Sequence, residues 1–373
     1  MFSKLFSKAT GKAEKKTSEF QQLADKIKQF LSEFRSDVFP NGILEIEQEI
    51  EVVKVAEHFV AAIQVPYPCQ LVLDEVSCQL SLALEQEIHL EADVRVEPTK
   101  KHDIKNVKNI IAISSGKGGV GKSTTSVNLA YALIAEGATV GILDADIYGP
   151  SIPTMLGLAG QKPGSDDGKL LNPMMNEQLH AMSIGFLMEA DDATVWRGPM
   201  ASRALSQLLN ETKWPELDYL IIDMPPGTGD IQLTLAQQIP VVGAVIVTTP
   251  QDVALADAVK GITMFNKVNV PILGVVENMS YHLCENCGHE SHLFGKAGGA
   301  KVAEDHKIQL LGQLPMVIDI MKGADNGKSP IISESEGDIS QQYRKIAHKM
   351  AAGLYHHQDA RSSQNNDIFI KEL

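Results

Sequence analysis

The sequence predicts an α/β protein, in which a mostly parallel sheet is covered by helices on both faces and is preceded by a small α+β domain. Three observations carry this prediction. After residue 109, short and fully apolar segments alternate with helical patterns, as in parallel sheets built from strand–helix–strand units. Before residue 98, the segments follow the order αββαβ. With 373 residues, of which 44% are hydrophobic and 21% charged, the chain suits two or three folded domains, and its composition excludes disorder over most of its length.

The first domain is predicted over residues 17–98, after a mobile basic tail at residues 1–16 that contains five lysines. Apolar residues between positions 20 and 34 recur at three- and four-residue steps and predict a helix. The segments predicted next are a strand-rich region at 43–55, a strand at 59–65, a helix at 71–84 and an alternating strand at 88–96. Residues 99–108 are polar and predict a linker.

The second domain is predicted over residues 109–357 and is followed by a polar tail at 358–373. Its predicted strands are residues 110–114, 140–144, 219–223, 241–248 and 272–277. Strands that are apolar on both faces need helical crossovers on both sides of the sheet. The second domain is thus predicted to have a sheet covered on both faces. We expect this larger domain to hold the catalytic site.

Charge and apolar content exclude several classes of function. The net charge is −14, from 33 basic and 47 acidic residues, and it argues against a general nucleic-acid binder. No segment approaches the roughly 20 apolar residues of a membrane span, and the first 16 residues lack the apolar core of a signal peptide. We therefore expect a cytoplasmic protein without nucleic-acid partners or stable membrane association. Four cysteines are too few for a disulfide scaffold and indicate metal or redox chemistry.

A glycine-rich segment, GKGGVGKS, follows the first strand of the second domain and opens a helix. Its spaced glycines fit the dinucleotide fingerprint, with Asp144 near the distance of a ribose-binding acid. The segment also fits a P-loop, because Lys122 would reach the outer phosphates and Ser123 would bind Mg²⁺. A dinucleotide site has no use for this lysine–hydroxyl pair, so the P-loop is favoured over it and over a glycine turn without a ligand. The residues expected to contact the nucleotide are Gly116, Gly118, Gly119, Val120, Gly121, Lys122, Ser123 and Thr124.

A P-loop domain needs an acid at the end of a neighbouring apolar strand to hold the magnesium shell. Asp223 ends such a strand. The loop at 224–230, rich in proline and glycine, suits a segment that senses the γ-phosphate, with a purely structural turn as the alternative. Asp144 and Asp146 follow another strand; Asp146 is predicted to position the attacking water and Asp144 to join the magnesium shell. Either acid could instead cap a helix.

Cys284 and Cys287 form a C-x-x-C pair in a loop beyond a strand. Alone, such a pair fits disulfide redox chemistry, half a zinc site or half an iron–sulfur site. His289 and His292 could complete a Cys₂His₂ zinc site within one chain. A cluster needs four thiolates, which a two-fold dimer would supply by bringing the pairs of two subunits to one axis. The residues leave the zinc, cluster and structural interpretations open.

Lys117, directly after the first glycine, makes the loop resemble the deviant Walker A motif of the nitrogenase iron protein and the MinD-type ATPases. Within that group the sequence most closely resembles the Mrp/ApbC family of iron–sulfur cluster carrier ATPases, over roughly residues 107–355. The matching segments are 114–125, 144–151, 196–200, 218–230 and 277–280, followed by Cys284 and Cys287.

This resemblance implies an ATP-hydrolysing homodimer with a P-loop NTPase fold. It implies that a [4Fe–4S] cluster bridges two subunits through Cys284 and Cys287, and that the protein exchanges it with a cluster-assembly scaffold and apo iron–sulfur recipients. Lys117 would reach the partner's phosphates and Asn278 would read the adenine, so ATP is the expected nucleotide. The catalytic residues are then expected to be Lys117, Lys122 and Asp146.

Two other functions remain open at this point. One is a MinD-like partitioning or positioning switch, in which the cysteines are incidental. The other is a nitrogenase-like ATP-dependent electron carrier, in which the cluster is not delivered.

The first domain resembles, through Pro-Tyr-Pro-Cys at residues 66–69, the MIP18-type domain that precedes many Mrp proteins. The resemblance implies that Cys69, a thiol at a helix N-terminus, could hold or pass a metal. Gln70 stands where that family usually has a proline, and a simply packed cysteine is the alternative. Cys78, inside the predicted helix, is expected in the core.

Overall fold

The computed structural model describes residues 18–44, 48–166, 168–188, 198–284 and 286–357. The chain divides into two compact units between Val96 and Glu97. The tails expected at residues 1–16 and 358–373 lie outside the described residues.

The first unit contains a three-stranded sheet of order β1–β2–β3 and two helices among its described residues. Its elements are α1 (Ser18–Glu33), β1 (Val52–Val55), β2 (His58–Val65), α2 (Gln70–Leu84) and β3 (Ile88–Val94). β1 runs antiparallel to β2, and β2 runs parallel to β3. The order αββαβ is as predicted, although the strand-rich region at 43–55 forms a described strand only at its end.

The two cysteines of this unit differ in exposure. Cys69 is fully buried just before α2. Cys78 is exposed, so its expected place in the core was wrong. The buried face of α2 includes Val72, Val76 and Leu80, spaced four residues apart. Cys78 lies two residues after Val76, about 200° around the helix, and therefore on the outer side.

Among its described residues, the second unit is built on a nine-stranded sheet that is parallel through its centre. Its strands are β4 (Val107–Ser114), β5 (Val140–Asp144), β6 (Met174–Asn176), β7 (Leu179–Ser183), β8 (Leu217–Asp223), β9 (Gly243–Thr248), β10 (Ile272–Leu283), β11 (Glu290–Ser291) and β12 (Leu310–Pro315). The order is β11–β10–β9–β4–β8–β5–β7–β6, with β12 parallel beside β10. The edge strands are antiparallel to their neighbours, β6 to β7 and β11 to β10. Every residue of β8 is buried, which explains the apolar run at its residues 219–222.

The sheet extends further than the sequence predicted. Four short strands, β6, β7, β11 and β12, were not predicted. β4 begins at Val107, so the region expected as a linker at 99–108 ends inside a strand. β10 continues beyond residue 277 to Leu283 and carries the chain to Cys284.

The helices of the second unit connect these strands, mostly as parallel crossovers. They are α3 (Lys122–Ala135), α4 (Ile152–Met155), α5 (Gly198–Glu211), α6 (Asp230–Gln238), α7 (Asp252–Lys267), α8 (Gly298–His306), α9 (Ile318–Asp325), α10 (Pro330–Ser333) and α11 (Asp338–His356). α3 contacts β5, β8 and α11, and most of its residues are buried. None of the described helices combines the length and apolarity that crossing a bilayer requires.

Candidate functional site

The loop between β4 and α3 depends on glycine at three positions. Gly119 and Gly121 have φ angles of 82° and 81°, in the left-handed region that favours glycine. A Cβ at Gly121 would lie 2.2 Å from Nδ2 of Asn278, and one at Gly116 would lie 2.2 Å from the backbone carbonyl oxygen of Asp257 on α7. Side chains would collide at both places. The loop is therefore a tight backbone cradle of the kind that surrounds phosphates.

The remaining predicted nucleotide contacts lie in this loop and in the first turn of α3. Gly118 is exposed, like Gly119, whereas Val120 is buried beneath the loop. Ser123 and Thr124 are half-buried at the start of α3. A helix N-terminus presents unpaired backbone N–H groups and the positive end of the helix dipole, both of which favour an anion.

Lys122 and Ser123 are joined to Asp223 in one buried network. The Nζ of Lys122 lies 2.8 Å from Oδ2 of Asp223. The Ser123 hydroxyl donates to the same oxygen at 2.6 Å, and the Ser126 hydroxyl donates to Oδ1 at 2.7 Å. The network brings together Lys122, Ser123 and Asp223, but not Asp144, which the sequence also assigned to the magnesium shell. Ser126 was not predicted to take part, although its spacing on α3, three residues after Ser123, places it on the same side of the helix.

Asp144 is fully buried at the end of β5, directly opposite Asp223 in the pairing of β5 with β8. Burial, together with the nearby charge of Asp223, raises the pKa of Asp144 to about 7. Its Oδ1 accepts the backbone N–H of Asp146 at 3.1 Å. Its Oδ2 accepts the N–H of Ile152 at 3.2 Å and the hydroxyl of Ser183 at 3.0 Å. The Asp144 carboxylate therefore shapes the loop that follows β5.

Asp146 lies on that loop and faces the P-loop lysine. Its Oδ2 is 3.9 Å from Nζ of Lys122, and 13% of its side chain is exposed. Burial raises the pKa of Asp146, while the charge of Lys122 lowers it. A partly exposed carboxylate beside the phosphate-binding lysine is suitably placed to contact a water molecule.

The loop at 224–230 is held against the P-loop by Ser115. The carbonyl oxygen of Ser115 accepts the N–H of Gly227 at 2.9 Å, and its hydroxyl donates to the carbonyl oxygen of Lys117 at 2.9 Å. The Lys117 side chain is half-buried at the rim of the P-loop.

The segment matched at 196–200 is described only from Gly198, where α5 begins; Trp196 and Arg197 lie outside the described residues.

Asn278, in the middle of β10, contacts the P-loop directly. Its side-chain amide is buried and donates from Nδ2 to the carbonyl oxygen of Val120 at 2.9 Å. The structure thus places Asn278 against the loop at Gly121, where it fixes the backbone of the cradle.

Glu277 is a functional candidate that the sequence analysis did not single out. It is fully buried, and its carboxylate accepts the N–H of Gly299 at the start of α8, the hydroxyl of Ser280 and, at 2.7 Å, the side-chain amide of Gln313. The sequence signal that could have identified Glu277 is a single acid in an otherwise apolar predicted strand. Glu277 ties α8 and β12 to the part of β10 that touches the P-loop.

Cys284 and Cys287 lie at the far end of β10, in the turn of the hairpin with β11. The backbone N–H of Cys284 donates to the carbonyl oxygen of His289 at 3.0 Å, and the N–H of Gly288 donates to the carbonyl oxygen of Cys284 at 2.8 Å. Cys284 is half-buried and Cys287 is exposed. The hairpin therefore presents the pair at the surface.

The histidines that could complete a zinc site are placed differently. His289 is exposed. The ring of His292 is held between the carbonyl oxygen of Ser280, 3.1 Å from Nδ1, and a carboxylate oxygen of Glu290, 3.1 Å from Nε2. Across the described residues, no group of three metal-binding side chains at coordinating distance includes either cysteine of the pair. The single-chain Cys₂His₂ site is not assembled.

Comparisons with known proteins match the second unit. The family model described as ParA, NUBPL iron-transfer P-loop NTPase, matches residues 106–351. An iron–sulfur cluster carrier protein of Escherichia coli strain K12 is 63% identical over 252 residues, which are 68% of this chain and 68% of that protein. The iron–sulfur cluster transfer protein NUBPL of Mus musculus is 47% identical over 257 residues, 68% of this chain and 80% of the mouse protein.

A solved structure is also similar. The nucleotide-binding protein of Archaeoglobus fulgidus in complex with ADP has a TM-score of 0.56 and 39% sequence identity, covering 64% of this chain and 93% of its own. The span matched by the family model contains the P-loop, the acids at the strand ends and the C-x-x-C pair.

Proposed function

The chain belongs to the family of NUBPL iron-transfer P-loop NTPases, and we propose that it hydrolyses ATP and carries an iron–sulfur cluster to apoproteins. One observation carries this proposal: 63% identity to a protein named as an iron–sulfur cluster carrier, over 252 residues. Both the P-loop and the C-x-x-C pair fall within the family match.

The residues at the P-loop fit a nucleotide with Mg²⁺. The glycine cradle and the start of α3 offer N–H groups for phosphates. The Ser123 hydroxyl and the Asp223 carboxylate lie 2.6 Å apart, and oxygen atoms are the ligands that Mg²⁺ prefers. We assign Mg²⁺ to Ser123 and Asp223, and place Asp144 in the outer part of the magnesium shell, where it orients the loop carrying Asp146. Bound Mg²⁺ would neutralise charge on the phosphates.

The protein groups around the phosphates have separate tasks in this proposal. Lys122 exchanges its partner Asp223 for phosphate oxygens when ATP binds. Asp146, beside Lys122, holds the attacking water. Lys117, at the rim, reaches the phosphates of the partner subunit in a homodimer, and Asn278 supports the cradle and contacts the adenine.

The cluster is the cargo, and we assign it to Cys284 and Cys287. One chain offers two thiols in this hairpin, so a [4Fe–4S] cluster, which takes four, would bridge two subunits. β10 gives a physical connection between the two sites, because it carries Asn278 against the P-loop and ends at the cysteine hairpin. Movement of the P-loop would therefore be transmitted along β10 to the cluster. We propose that the homodimer works in the cytoplasm with a cluster-assembly scaffold and apo iron–sulfur recipients.

The cargo assignment is tested by anaerobic reconstitution of wild type, Cys284→Ala and Cys78→Ala. Cys78 is a matched control, because it is an exposed cysteine that belongs to the first unit. Wild type and Cys78→Ala should bind about four iron and four sulfide per dimer, and Cys284→Ala should lose both. Zinc at one per chain in place of iron would overturn the assignment. Transfer of the cluster to an apoprotein, with its loss from the carrier, distinguishes delivery from electron transfer.

The nucleotide assignment is tested with Lys122→Ala, with Lys213→Ala as the control. Lys213 is an exposed lysine that pairs with Asp166. Lys122→Ala should accept the cluster normally but lose ATP hydrolysis by at least about 100-fold, the scale on which losing a charge stabiliser lowers turnover. Normal hydrolysis in this variant would contradict the P-loop assignment.

A further inference from the structure

Two histidines and a glutamate come together on one face of the sheet in the first unit. β2 and β3 pair in parallel, with Phe59 opposite Ile88 and Val60 opposite His89. β3 buries Ile88 and leaves its neighbour His89 exposed, as strand alternation requires. His58 begins β2, so its ring reaches the ring of His89.

The potential ligand atoms are close to one another. One nitrogen each of His58 and His89 and one carboxylate oxygen of Glu87 all lie within 4.8 Å of one another. The Nε2 of His89 is 3.2 Å from Oε1 of Glu87, and the two imidazole rings are 4.8 Å apart between centroids. Ligand atoms bound tetrahedrally to a metal at about 2.0–2.1 Å would be about 3.4 Å apart. Small side-chain rotations would therefore close the site without moving the strands.

The surroundings of this cluster favour a cation. Glu91 follows His89 on the same face of β3, and Asp74 lies on α2, the helix that packs against β3. A surface cavity of about 450 Å³ is lined by His58, His89, Glu91, Asp74 and Gln70. Three carboxylates around two imidazoles leave excess negative charge, and the cavity leaves room for water or an exchanging ligand beside the ion.

We propose that His58, Glu87 and His89 bind one divalent first-row transition metal ion, Fe²⁺ or Zn²⁺, at the open face of β2 and β3. Two imidazoles and one carboxylate form a ligand set used by both ions, and it leaves coordination positions open. Fe²⁺ and Zn²⁺ share this chemistry, and the experiment below distinguishes them. The site uses none of the residues assigned to ATP or to the cluster, so the inference is independent of the proposed function.

The test measures metal binding to the full chain carrying Cys284→Ala and Cys287→Ala, which removes thiol ligands at the hairpin. Titration calorimetry with ZnCl₂, and separately with Fe²⁺ under anaerobic conditions, is run in millimolar Mg²⁺ so that the Ser123 and Asp223 site is masked. One ion per chain is expected. His58→Ala and His89→Ala should each weaken its binding by at least about 10-fold, since even loss of an outer-shell partner costs that much.

Two further variants keep the result interpretable. His306→Ala removes an exposed histidine at the end of α8 and should bind metal like the parent. Glu87→Gln keeps the shape of the side chain but removes its charge, and should weaken binding. Melting of the metal-free variants within a few degrees of the parent shows that they fold. The proposal is overturned if neither ion binds, or if the double variant His58→Ala/His89→Ala retains the parent's binding.

Discussion

Asp223 shows how a single carboxylate depends on its neighbours. It is fully buried, yet both of its oxygens have partners: Lys122 and Ser123 at one, Ser126 at the other. A buried carboxylate is tolerated only with such compensation. When phosphates engage Lys122 and an ion engages Ser123, the hydrogen bond from Ser126 is the contact that continues to orient Asp223.

Ser126→Ala should therefore raise the Mg²⁺ concentration needed for half-maximal ATP hydrolysis by about 10-fold, because partners that orient a metal ligand contribute on that scale. Nucleotide binding without Mg²⁺ should change little, since Ser126 lies within α3 and is not part of the glycine loop that forms the phosphate cradle. Steady-state rates across a Mg²⁺ series give the first quantity and equilibrium dialysis gives the second. Thr263→Ala, which removes an exposed hydroxyl from α7, is the control. An unaltered Mg²⁺ dependence would show that Asp223 is held without Ser126.

At the scale of elements, α11 is fastened to the end of α3 by a buried ion pair. The Nε of Arg344 lies 2.5 Å from Oε1 of Glu136, and their side chains are 8% and 0% exposed. Arg344→Met would remove this ion pair from the buried Glu136 carboxylate, and we expect the free energy of unfolding to fall by about 3–5 kcal/mol. Combining it with Glu136→Met should recover most of that loss, as measured by urea unfolding at constant m value. Simply additive losses would rule out this coupling.

The same helix holds His348, whose pKa is lowered to about 4 by burial, and further by Lys349, Lys345 and Arg344. Its Nδ1 is buried without a hydrogen-bond partner among the described residues. In the unfolded chain the His348 ring is protonated near pH 6.5, whereas in the folded chain it stays neutral until about pH 4. Stability should therefore fall as the pH drops through this interval, by up to about 1.4 kcal/mol per pH unit.

His348→Leu should flatten the acid side of a stability profile measured between pH 7 and pH 4, because it removes the group that titrates differently in the two states. Thermal or urea unfolding of both proteins at each pH provides the comparison. A profile that keeps the wild-type slope would place the acid sensitivity elsewhere.

The parts of the molecule that were predictable from sequence are those in which local spacing encodes chemistry. The P-loop and the long buried strands belong to this group. Glu277 was missed because its partner Gly299 is 22 residues away, and Ser126 because its contact with Asp223 spans 97. Cys78 was misplaced because α2 is apolar on several sides, so its pattern predicts a helix but not which face is buried. Such relations depend on strand register and packing, which a single sequence does not determine.

At the scale of the whole molecule, the division after Val96 puts the nucleotide site and the proposed metal site at His58, Glu87 and His89 in different compact units. A ligand that binds only the folded state of a unit slows hydrogen exchange through unfolding of that unit, by about 100-fold at a concentration 100 times its Kd. We expect Mg-ADP to protect slowly exchanging amides within residues 97–357, and Zn²⁺, in the Cys284→Ala/Cys287→Ala background, to protect those within 18–96. Exchange followed by mass spectrometry of peptides resolves the two regions. Lys122→Ala should remove only the first effect and His89→Ala only the second. Protection of both regions by either ligand would mean instead that the two units unfold together.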